Sequence, residues 1–497
     1  MQIMSKHDPE HVLNVAIIGA GFSGIGMGIA LKRAGIDDFI IFEKTDGLSG
    51  TWHDNTYPGA GCDVPSHLYC YSHSPNPDWT YAYSRQSEIK TYVEDCARRF
   101  GVTGNVRLKT PIAKMHFDDE AGHWVLYTEE GEKLCARFVI SATGPLSVPL
   151  IPKIKGMETF KGKIFHSARW PDNLSLKGKA VAIIGSAAST VQIAPAIVDK
   201  VEQLTVFQRT ANYIVPRRDR AYGPREKARW RRVPFLLKIK RAYMDISRDV
   251  FSFRVFFKNS MMSKMMAKAA LRSMQEIIHD PDMRAKLTPD YPLGCKRILL
   301  SDDYYQTLMR GNVDLITDGI ESIDEDGIHT QSGREIAADV IVLATGFEAT
   351  NFLAGLAIKG KNGLDLHQRF TQRLSAYRGV SYPGFPNFFT LLGPNTGLGH
   401  SSMILIIEAQ INYIMKAINY AGSRALDVRE EAEMRYNTSI ASDLENMVWA
   451  TGCNSWYKSA DGTIPTLWPH STARFRRLMA RPDFNDYEIS SVKTPAP

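Results

Sequence analysis

Cysteine and long apolar runs are both scarce in this chain of 497 residues. Only six cysteines occur, and none forms a Cys-x-x-Cys pair or stands at the spacing of metal ligands. This argues against a disulfide-rich domain, a zinc site or a dithiol redox centre, and it favours a reducing compartment. The longest apolar candidate, residues 403–418, is interrupted by Glu408, Gln410, Asn412 and Lys416, so no stretch reaches the roughly 18 residues of a membrane span.

The N-terminal residues lack the layout of a signal peptide, because their first apolar run leads directly into a glycine turn. With 44% hydrophobic and 23% charged residues, the composition is that of a globular protein rather than a disordered or collagen-like one. A single hydrophobic core stops growing near about 250–300 residues, so two or three domains are expected. We therefore expect a soluble, cytoplasmic, multidomain protein.

The positive charge is concentrated in one segment. The net charge is +7, but residues 217–272 hold 17 Lys and Arg against four Asp and Glu, so the rest of the chain is mildly acidic. Apolar residues such as Phe235, Ile239 and Tyr243 recur there at helical spacing, which predicts amphipathic helices. A solvated helical cap is the favoured interpretation. Weak contact with an anionic membrane surface and attraction of a polyanionic cofactor are the alternatives, and nucleic-acid binding is not expected because no recognised module accompanies the charge.

The N-terminal apolar run opens a pattern that is typical of dinucleotide binding. A predicted strand ends in a glycine turn, a helical stretch follows, and a second strand over 39–42 ends in an acid. In such units the glycines allow a tight turn, close approach of a pyrophosphate and helix packing, while the acid accepts the ribose hydroxyls. The glycine pattern alone is weak, but the strands and the acid strengthen it. The predicted contacts are Gly19, Gly21, Phe22, Ser23, Gly24 and Glu43.

A second, less regular unit begins with the apolar run 179–184. Its turn starts at Gly185, but Ala187 and Thr190 replace the second and third glycines, which weakens the assignment. The following strand ends in Arg209 and Thr210 with no acid. Because an acid would repel a 2′-phosphate whereas an arginine and a hydroxyl bind one, this unit favours NADP over NAD. A degenerate, purely structural unit is the alternative.

One motif points to a family. Residues 160–171 match the pattern F-x-G-x-x-x-H-x-x-x-W-P, with His166 and Trp170 at its fixed positions. In this respect the chain resembles the type I Baeyer–Villiger monooxygenases. Residues 49–63 resemble that family's other signature, departing only at Ser49, and residues 393–400 resemble its flavin-ring loop. The related flavin-containing monooxygenases usually have Tyr or Phe where this chain has Trp170 and Pro171.

The resemblance implies an α/β fold of two Rossmann-like dinucleotide-binding domains, the NADP domain being inserted into the FAD domain. Two strand-like runs that both end in Ala-Thr-Gly, before 145 and before 347, bracket the second unit and agree with an insertion. We expect residues 1–145 and 346–497 to form the FAD domain and residues 146–345 the NADP domain, including a helical cap at about 217–290. The cofactors would be FAD and NADPH.

The resemblance further implies the reaction. An oxygen atom from O₂ would be inserted next to a ketone carbonyl through a flavin peroxide, giving an ester or lactone. Arg297 would hold the peroxyanion, and Asp63 would orient its guanidinium. Arginine suits this role because it stays protonated at any working pH. His166 is expected to couple the domains rather than to transfer protons.

Family positions also imply the cofactor contacts. On the FAD side they are Thr51, Trp52, Asp63, Tyr69 and Asn395. Lys296, Arg209 and Thr210 would bind the 2′-phosphate of NADPH, and the remaining predicted contacts to that cofactor are Gly185, Ser186, Ser189, Thr190 and Gln192.

Three rival functions remain open at this point. The first is a flavin monooxygenase that oxygenates nitrogen or sulfur of soft nucleophiles such as amines and sulfides. The second is a disulfide reductase, which the absence of a Cys-x-x-Cys pair disfavours. The third is a non-catalytic nucleotide-binding or membrane-associated protein.

Overall fold

Two sheets dominate the structure, a computed structural model that describes residues 11–459 and 461–490: the first is mixed and the second is all parallel. Both sheets consist of short, mostly buried strands, as expected for a sheet that is covered on its two faces. The strands are β1 (Val12–Ile18), β2 (Phe39–Phe42), β3 (Val106–Arg107), β4 (Ile112–Asp118), β5 (His123–Thr128), β6 (Lys133–Ser141), β7 (Lys163–His166), β8 (Ala180–Ile184), β9 (Gln203–Phe207), β10 (Ile214–Val215), β11 (Leu299–Leu300), β12 (Val313–Ile316), β13 (Ile320–Ile323), β14 (Gly327–Thr330), β15 (Glu335–Ala337), β16 (Val340–Leu343), β17 (Ala357–Lys359), β18 (Phe388–Thr390), β19 (Ala425–Val428) and β20 (Tyr487–Ser490).

The helices follow the glycine turns or cover the sheets. The longest, over 403–421, contains the apolar run that came nearest to a membrane span, and it is a buried core helix. The helices are α1 (Phe22–Arg33), α2 (Thr51–Asp54), α3 (Gln86–Arg99), α4 (Ala188–Ile197), α5 (Pro224–Arg232), α6 (Pro234–Ser247), α7 (Met261–Ile277), α8 (Pro281–Leu287), α9 (Tyr304–Leu308), α10 (Leu366–Gln372), α11 (Met403–Ala421), α12 (Glu430–Leu444) and α13 (Thr472–Met479). Within the described part of the chain, no helix is both long and apolar enough to cross a membrane.

The first sheet has the strand order β17-β4-β5-β6-β1-β2-β3, and β18 also pairs with β6. Its central strand β1 runs parallel to β2 and β6, so the glycine turn after β1 lies at the carboxyl edge of the sheet. Cofactors bind at this edge in open α/β sheets.

The second sheet has the order β12-β9-β8-β16-β7, and all its strands are parallel. The motif that carries His166 contributes β7, the edge strand beside β16. All five strands lie between residues 163 and 343, whereas β17 and β18 return to the first sheet. The first sheet is therefore built from chain on both sides of the second.

The basic segment forms the helical cap α5–α8. The predicted amphipathic helices are present, but α6 is oriented opposite to a usual surface helix. Phe235, Ile239 and Tyr243 are exposed, whereas Arg241 turns inward to backbone carbonyls of residues 67–70. Periodicity predicts which residues share a face, but it does not predict which face is buried.

Candidate active site

The first glycine turn follows β1, and its first and third glycines have no room for a side chain. Gly19 has φ +103°, and a Cβ on it would lie 2.7 Å from the carbonyl oxygen of Ala142. A Cβ on Gly24 would overlap the carbonyl oxygen of Gly19. Gly21 faces Gly50, and a Cβ on Gly50 would lie 3.0 Å from the Gly21 Cα. This all-backbone cradle at a helix N-terminus suits a pyrophosphate, so the residues present fit FAD.

Glu43 lies at the end of β2 beside this turn and is buried. One carboxylate oxygen accepts a hydrogen bond from the Ala20 N–H at 2.8 Å, and the other accepts from the backbone N–H of Thr45 at 2.9 Å. The acid predicted to bind a ribose is therefore held against the glycine turn.

An aromatic cluster forms next to the turn. The indole N–H of Trp52 donates to the Tyr69 hydroxyl at 3.1 Å, and the rings of Tyr69 and Phe22 meet edge to face at 5.3 Å. Burial raises the pKa of the Tyr69 phenol, which stays neutral at working pH. The structure thus brings together Trp52, Tyr69 and Phe22, with Thr51 at the start of α2.

The second glycine turn resembles the first but has a threonine side chain at the position of its third glycine. Gly185 has φ +114°, as the turn requires. At the position of the third glycine, the buried Thr190 hydroxyl donates to the Gly185 carbonyl at 2.8 Å. Asn212 donates to the Ser186 carbonyl at 3.0 Å, and the Ser186 hydroxyl donates to the Thr210 carbonyl. Hydrogen bonds therefore hold this turn where close glycine packing holds the first.

Two cationic side chains, Lys296 and Arg209, lie close to each other near this second turn. Burial lowers the pKa of Lys296, and the charge of Arg209 lowers it further. Within residues 11–459 and 461–490, neither forms an ion pair with a carboxylate. The Lys296 Nζ lies 4.8 Å from the ring centre of Tyr291. The charge of Asp290 opposes this lowering of the Lys296 pKa, but it is the smallest of the three causes. Two adjacent cations outside any such ion pair form the donor set that a phosphate dianion requires, so the residues present fit NADPH.

Gln192 connects the two sheets. Its amide donates to the Gly61 carbonyl at 3.0 Å, and its amide oxygen accepts from the Tyr57 hydroxyl at 3.0 Å. Ser189 also hydrogen-bonds the Tyr57 side chain. The second nucleotide unit is thereby attached to the segment 57–63 that ends in Asp63.

Asp63 and Arg297 form an ion pair across 234 residues of sequence. The guanidinium Nε donates to Asp63 Oδ2 at 3.0 Å, and an Nη donates to the same oxygen. Burial alone would raise the pKa of Asp63, but the charge and hydrogen bonds of Arg297 hold it below its usual range. Asp63 in turn raises the pKa of Arg297. Because its pKa is raised, Arg297 is permanently charged. Its side chain is 42% exposed, so the charge is also accessible.

The two turns have the form of dinucleotide sites, and the charge of Arg297 acts on Tyr69, beside the first turn, and on Tyr57, which Gln192 of the second unit contacts. The sequence profile described as "Flavin-binding monooxygenase-like" matches residues 13–363. A Baeyer–Villiger monooxygenase of Streptomyces coelicolor is 43% identical, over 98% of this chain and 94% of its own length. One from Pseudomonas aeruginosa is 41% identical, over 96% and 92%. The chain belongs to the Baeyer–Villiger monooxygenases of this flavin-binding family.

Solved structures agree with this assignment. A closed crystal structure of cyclohexanone monooxygenase superposes with a TM-score of 0.87 at 28% identity, covering 97% of this chain and 99% of that one. Oxidised steroid monooxygenase bound to NADP gives 0.86 at 29% identity, with the same coverage. The expected family, the α/β fold of two dinucleotide-binding domains and the class of flavoprotein monooxygenase are therefore confirmed.

Two residues of the family's motifs have structural contacts. His166 is buried, its Nε2 lies 2.9 Å from the Gly346 carbonyl oxygen, and burial lowers its pKa. It therefore links the motif strand to the point where the chain leaves the second sheet. Asn395 uses its amide N–H groups on the carbonyls of Ile464 and Leu467, at 2.8 and 3.0 Å. Its side chain fastens the C-terminal segment to the flavin-ring loop.

Two neighbours of the Arg297–Asp63 pair were not predicted. The charge of Arg248 contributes to lowering the pKa of Asp63, although Arg248 was counted only as part of the basic cap. Tyr457 is buried and interacts electrostatically with Arg297, and burial raises the pKa of its phenol to about 12. No spacing in the sequence places Tyr457 at the site.

A disulfide joins Cys295, which precedes Lys296 and Arg297, to Cys453, and the other four cysteines are free. The pairing has no signal in the sequence, because 158 residues separate the two positions. It weighs against the compartment inferred from cysteine spacing, since disulfides are rare in reducing compartments.

Proposed function

We propose that this Baeyer–Villiger monooxygenase uses FAD, NADPH and O₂ to convert a small-molecule ketone into an ester or lactone. The observation that carries the proposal is the Asp63–Arg297 ion pair, which provides a permanent positive charge whose effect reaches Tyr69 near the first turn and Tyr57 near the second. Relatives named for cyclohexanone and steroid oxidation support a ketone as the substrate class, and one neighbour holds ε-caprolactone, a lactone.

When bound, FAD supplies the redox chemistry, with NADPH as the reductant and O₂ as the oxidant. The protein contributes position and charge. Arg297 would offer fixed N–H donors to the negative charge that develops on the carbonyl oxygen of the ketone when an oxygen nucleophile adds to it. Asp63 accepts from two of those donors and so fixes the plane of the guanidinium. Arg248 adds a second positive charge nearby.

The cofactor contacts follow from the two turns. FAD would lie against Gly19, Gly21 and Gly24, with Glu43 at its ribose and Trp52 and Tyr69 near its ring. NADPH would lie at Gly185, with its 2′-phosphate on Arg209 and Lys296. We assign the FAD domain to residues 1–145 and 346–497 and the NADP domain to residues 146–345.

The test is NADPH consumption by the purified protein with a panel of ketones and sulfides under ¹⁸O₂, with products identified by mass spectrometry. Esters or lactones that carry one labelled oxygen are the expected products. Sulfoxides or N-oxides alone would move the protein to heteroatom oxygenation and refute the proposed reaction.

Location and surface contacts are proposals that do not depend on this chemistry. A cytoplasmic location stays a proposal, and the Cys295–Cys453 bridge makes the redox state of these two thiols its most direct test. Membrane contact through the basic cap also stays a proposal, and it rests on the orientation of α6.

A further inference from the structure

Helix α6 and the π-helical turn 248–252 that follows it present an apolar stripe to the outside of the molecule. Its members and their exposed fractions are Phe235 66%, Ile239 49%, Tyr243 72%, Ile246 61% and Val250 40%. Steps of four, four, three and four residues keep all five on one face, and 15 residues of helix extend for about 22 Å. A row of large apolar side chains on one face of a surface helix marks an interaction site rather than scattered surface hydrophobicity.

Specific polar contacts on the opposite face hold the stripe outward. Arg241 donates to the carbonyl oxygens of His67, Leu68 and Cys70, the last at 2.7 Å. Asp245 pairs with Arg476 at 2.8 Å. Because rotating the helix would break these contacts and leave carbonyl oxygens of buried residues without their donor, the outward direction of the stripe is built into the fold.

The charges of the cap are also unevenly distributed, because its acids form contacts within the molecule while several of its bases are exposed. All four acids of residues 217–272 are engaged within the molecule: Asp219 with Arg85, Glu226 with Arg220, Asp245 with Arg476, and Asp249 with His400 and the N-terminus of α13. Several bases around the start of α6 are exposed and have no carboxylate partner among the described residues: Arg225, Arg229, Arg232 and Lys238. The outer surface of the cap is therefore both apolar and strongly positive.

We propose that this surface docks on an anionic lipid bilayer. The stripe would enter the boundary between headgroups and acyl chains, and the surrounding Lys and Arg would lie at the lipid phosphates. A symmetric pairing of two copies would place the same positive segments against each other, so charge complementarity favours the anionic surface over a second copy of this chain. The contact is peripheral and independent of the ketone chemistry.

The experiment is flotation of the full-length holoenzyme with vesicles of phosphatidylcholine alone or with about one third phosphatidylglycerol, in low and in high salt. The wild-type protein should float with the anionic vesicles at low salt. Binding should be at least tenfold weaker with neutral vesicles. Binding to the anionic vesicles should also weaken in high salt, because exposed charges are screened.

The test variant is Ile239→Glu/Tyr243→Glu, which puts two carboxylates into the stripe. Met434→Glu is the control, because Met434 is an apolar residue on α12 that is 50% exposed and lies outside the cap. The double variant should lose at least tenfold in vesicle binding, whereas the control should bind like the wild type. Flavin absorbance, circular dichroism and NADPH oxidation without vesicles report whether each variant is folded.

Three results would overturn the proposal. The wild-type protein could remain in the bottom fraction with every vesicle mixture, or a folded double variant could float as well as the wild type. The third is equal flotation of the wild type on neutral and on anionic vesicles. Light scattering adds a fourth. A concentration-dependent dimer that the double variant abolishes, without any vesicle binding, would assign the stripe to a second copy of this chain. Failure of ketone oxidation would not affect any of these readings.

Discussion

Arg297 and Asp63 show how two side chains divide one task. Arg297 provides the charge, and Asp63 provides its direction through two hydrogen bonds to a single oxygen. The pKa of Asp63 is lowered in the folded protein, so the stabilising effect of its charge is present above the unfolded pKa of about 3.9. That effect is lost only as the pH falls through the lower folded value. The pair therefore stays ionised over the neutral and alkaline range.

Replacing Arg297 by Ala should remove ketone oxidation while FAD stays bound. Loss of one fixed donor to a developing oxyanion costs about 2.7–4 kcal/mol, which is a hundredfold or more in rate. The measurement is kcat/KM for the best ketone of the panel, and Arg225→Ala, an exposed arginine of the cap, is the control. If the variant keeps ketone activity within tenfold of the wild type, Arg297 does not have the proposed role.

The lowered pKa of Lys296 gives NADPH binding a pH dependence. A 2′-phosphate needs Lys296 charged, so the KM for NADPH should rise as the pH increases through this lowered pKa, while the KM for NADH should not. Arg209→Ala removes the like charge that depresses this pKa. It should raise the KM for NADPH far more than that for NADH and move the remaining rise to higher pH. Equal effects on both nucleotides would contradict the assignment.

The disulfide predicts a thiol count. Protein purified in air and then denatured should react with a thiol reagent at four cysteines, and at six after reduction, because Cys295 and Cys453 are bonded. Peptide mapping should identify Cys295 and Cys453 as the two cysteines that do not react before reduction. Six reactive thiols before reduction would mean that the bridge does not form in solution.

At the scale of elements, the sequence predicted the two turns well and the direction of the cap poorly. Strand, glycine turn, helix and acid are local patterns, and the structure has them at β1–α1–β2 as expected. The orientation of α6 depends on carbonyls at 67–70 and on Arg476, which no local pattern connects to residues 234–247. Arg248 and Tyr457 reach the site in the same long-range way. Motif spacing could find Arg297 and Asp63 only through the family resemblance.

The first glycine turn predicts a severe effect for a single methyl group. Gly24→Ala would place a Cβ on the Gly19 carbonyl oxygen, so α1 must move away from β1. We expect destabilisation of about 1–3 kcal/mol or more and loss of bound FAD. Gly104→Ala is the matched control, because nothing lies within 4 Å of a Cβ there. Thermal unfolding and the ratio of flavin to protein absorbance measure both effects, and a yellow, stable Gly24→Ala protein would refute the close packing.

At the scale of the whole molecule, Gln192 forms one of the contacts that connect the two sheets. Gln192 reaches from α4 to Tyr57 and Gly61, and the same segment leads to Asp63. The His166 motif fastens the edge of the second sheet to Gly346. The family's fingerprint therefore lies where the chain leaves the second sheet after β16.

Gln192→Ala should loosen this joint without unfolding either sheet. The Gly61 N–H, which donates to Gln192 Oε1 at 3.3 Å, should exchange with deuterium faster, and the KM for NADPH should rise by roughly tenfold, about 1.4 kcal/mol. Gln203→Ala, which removes a surface hydrogen bond to Asp314, should change neither. Unchanged exchange over residues 57–63 in Gln192→Ala would show that the contact does not couple the sheets.

The interleaved order of the sheets also governs how the chain assembles as it is made. Residues 163–343 supply every strand of the second sheet, so that sheet can form while the ribosome is still synthesising the remainder. The first sheet starts earlier in the chain but lacks β17 and β18 until residue 390 has been made. Until then the part of β6 that later pairs with β18 is unpaired. The nascent first sheet is therefore the part of this protein that chaperones would need to protect from aggregation.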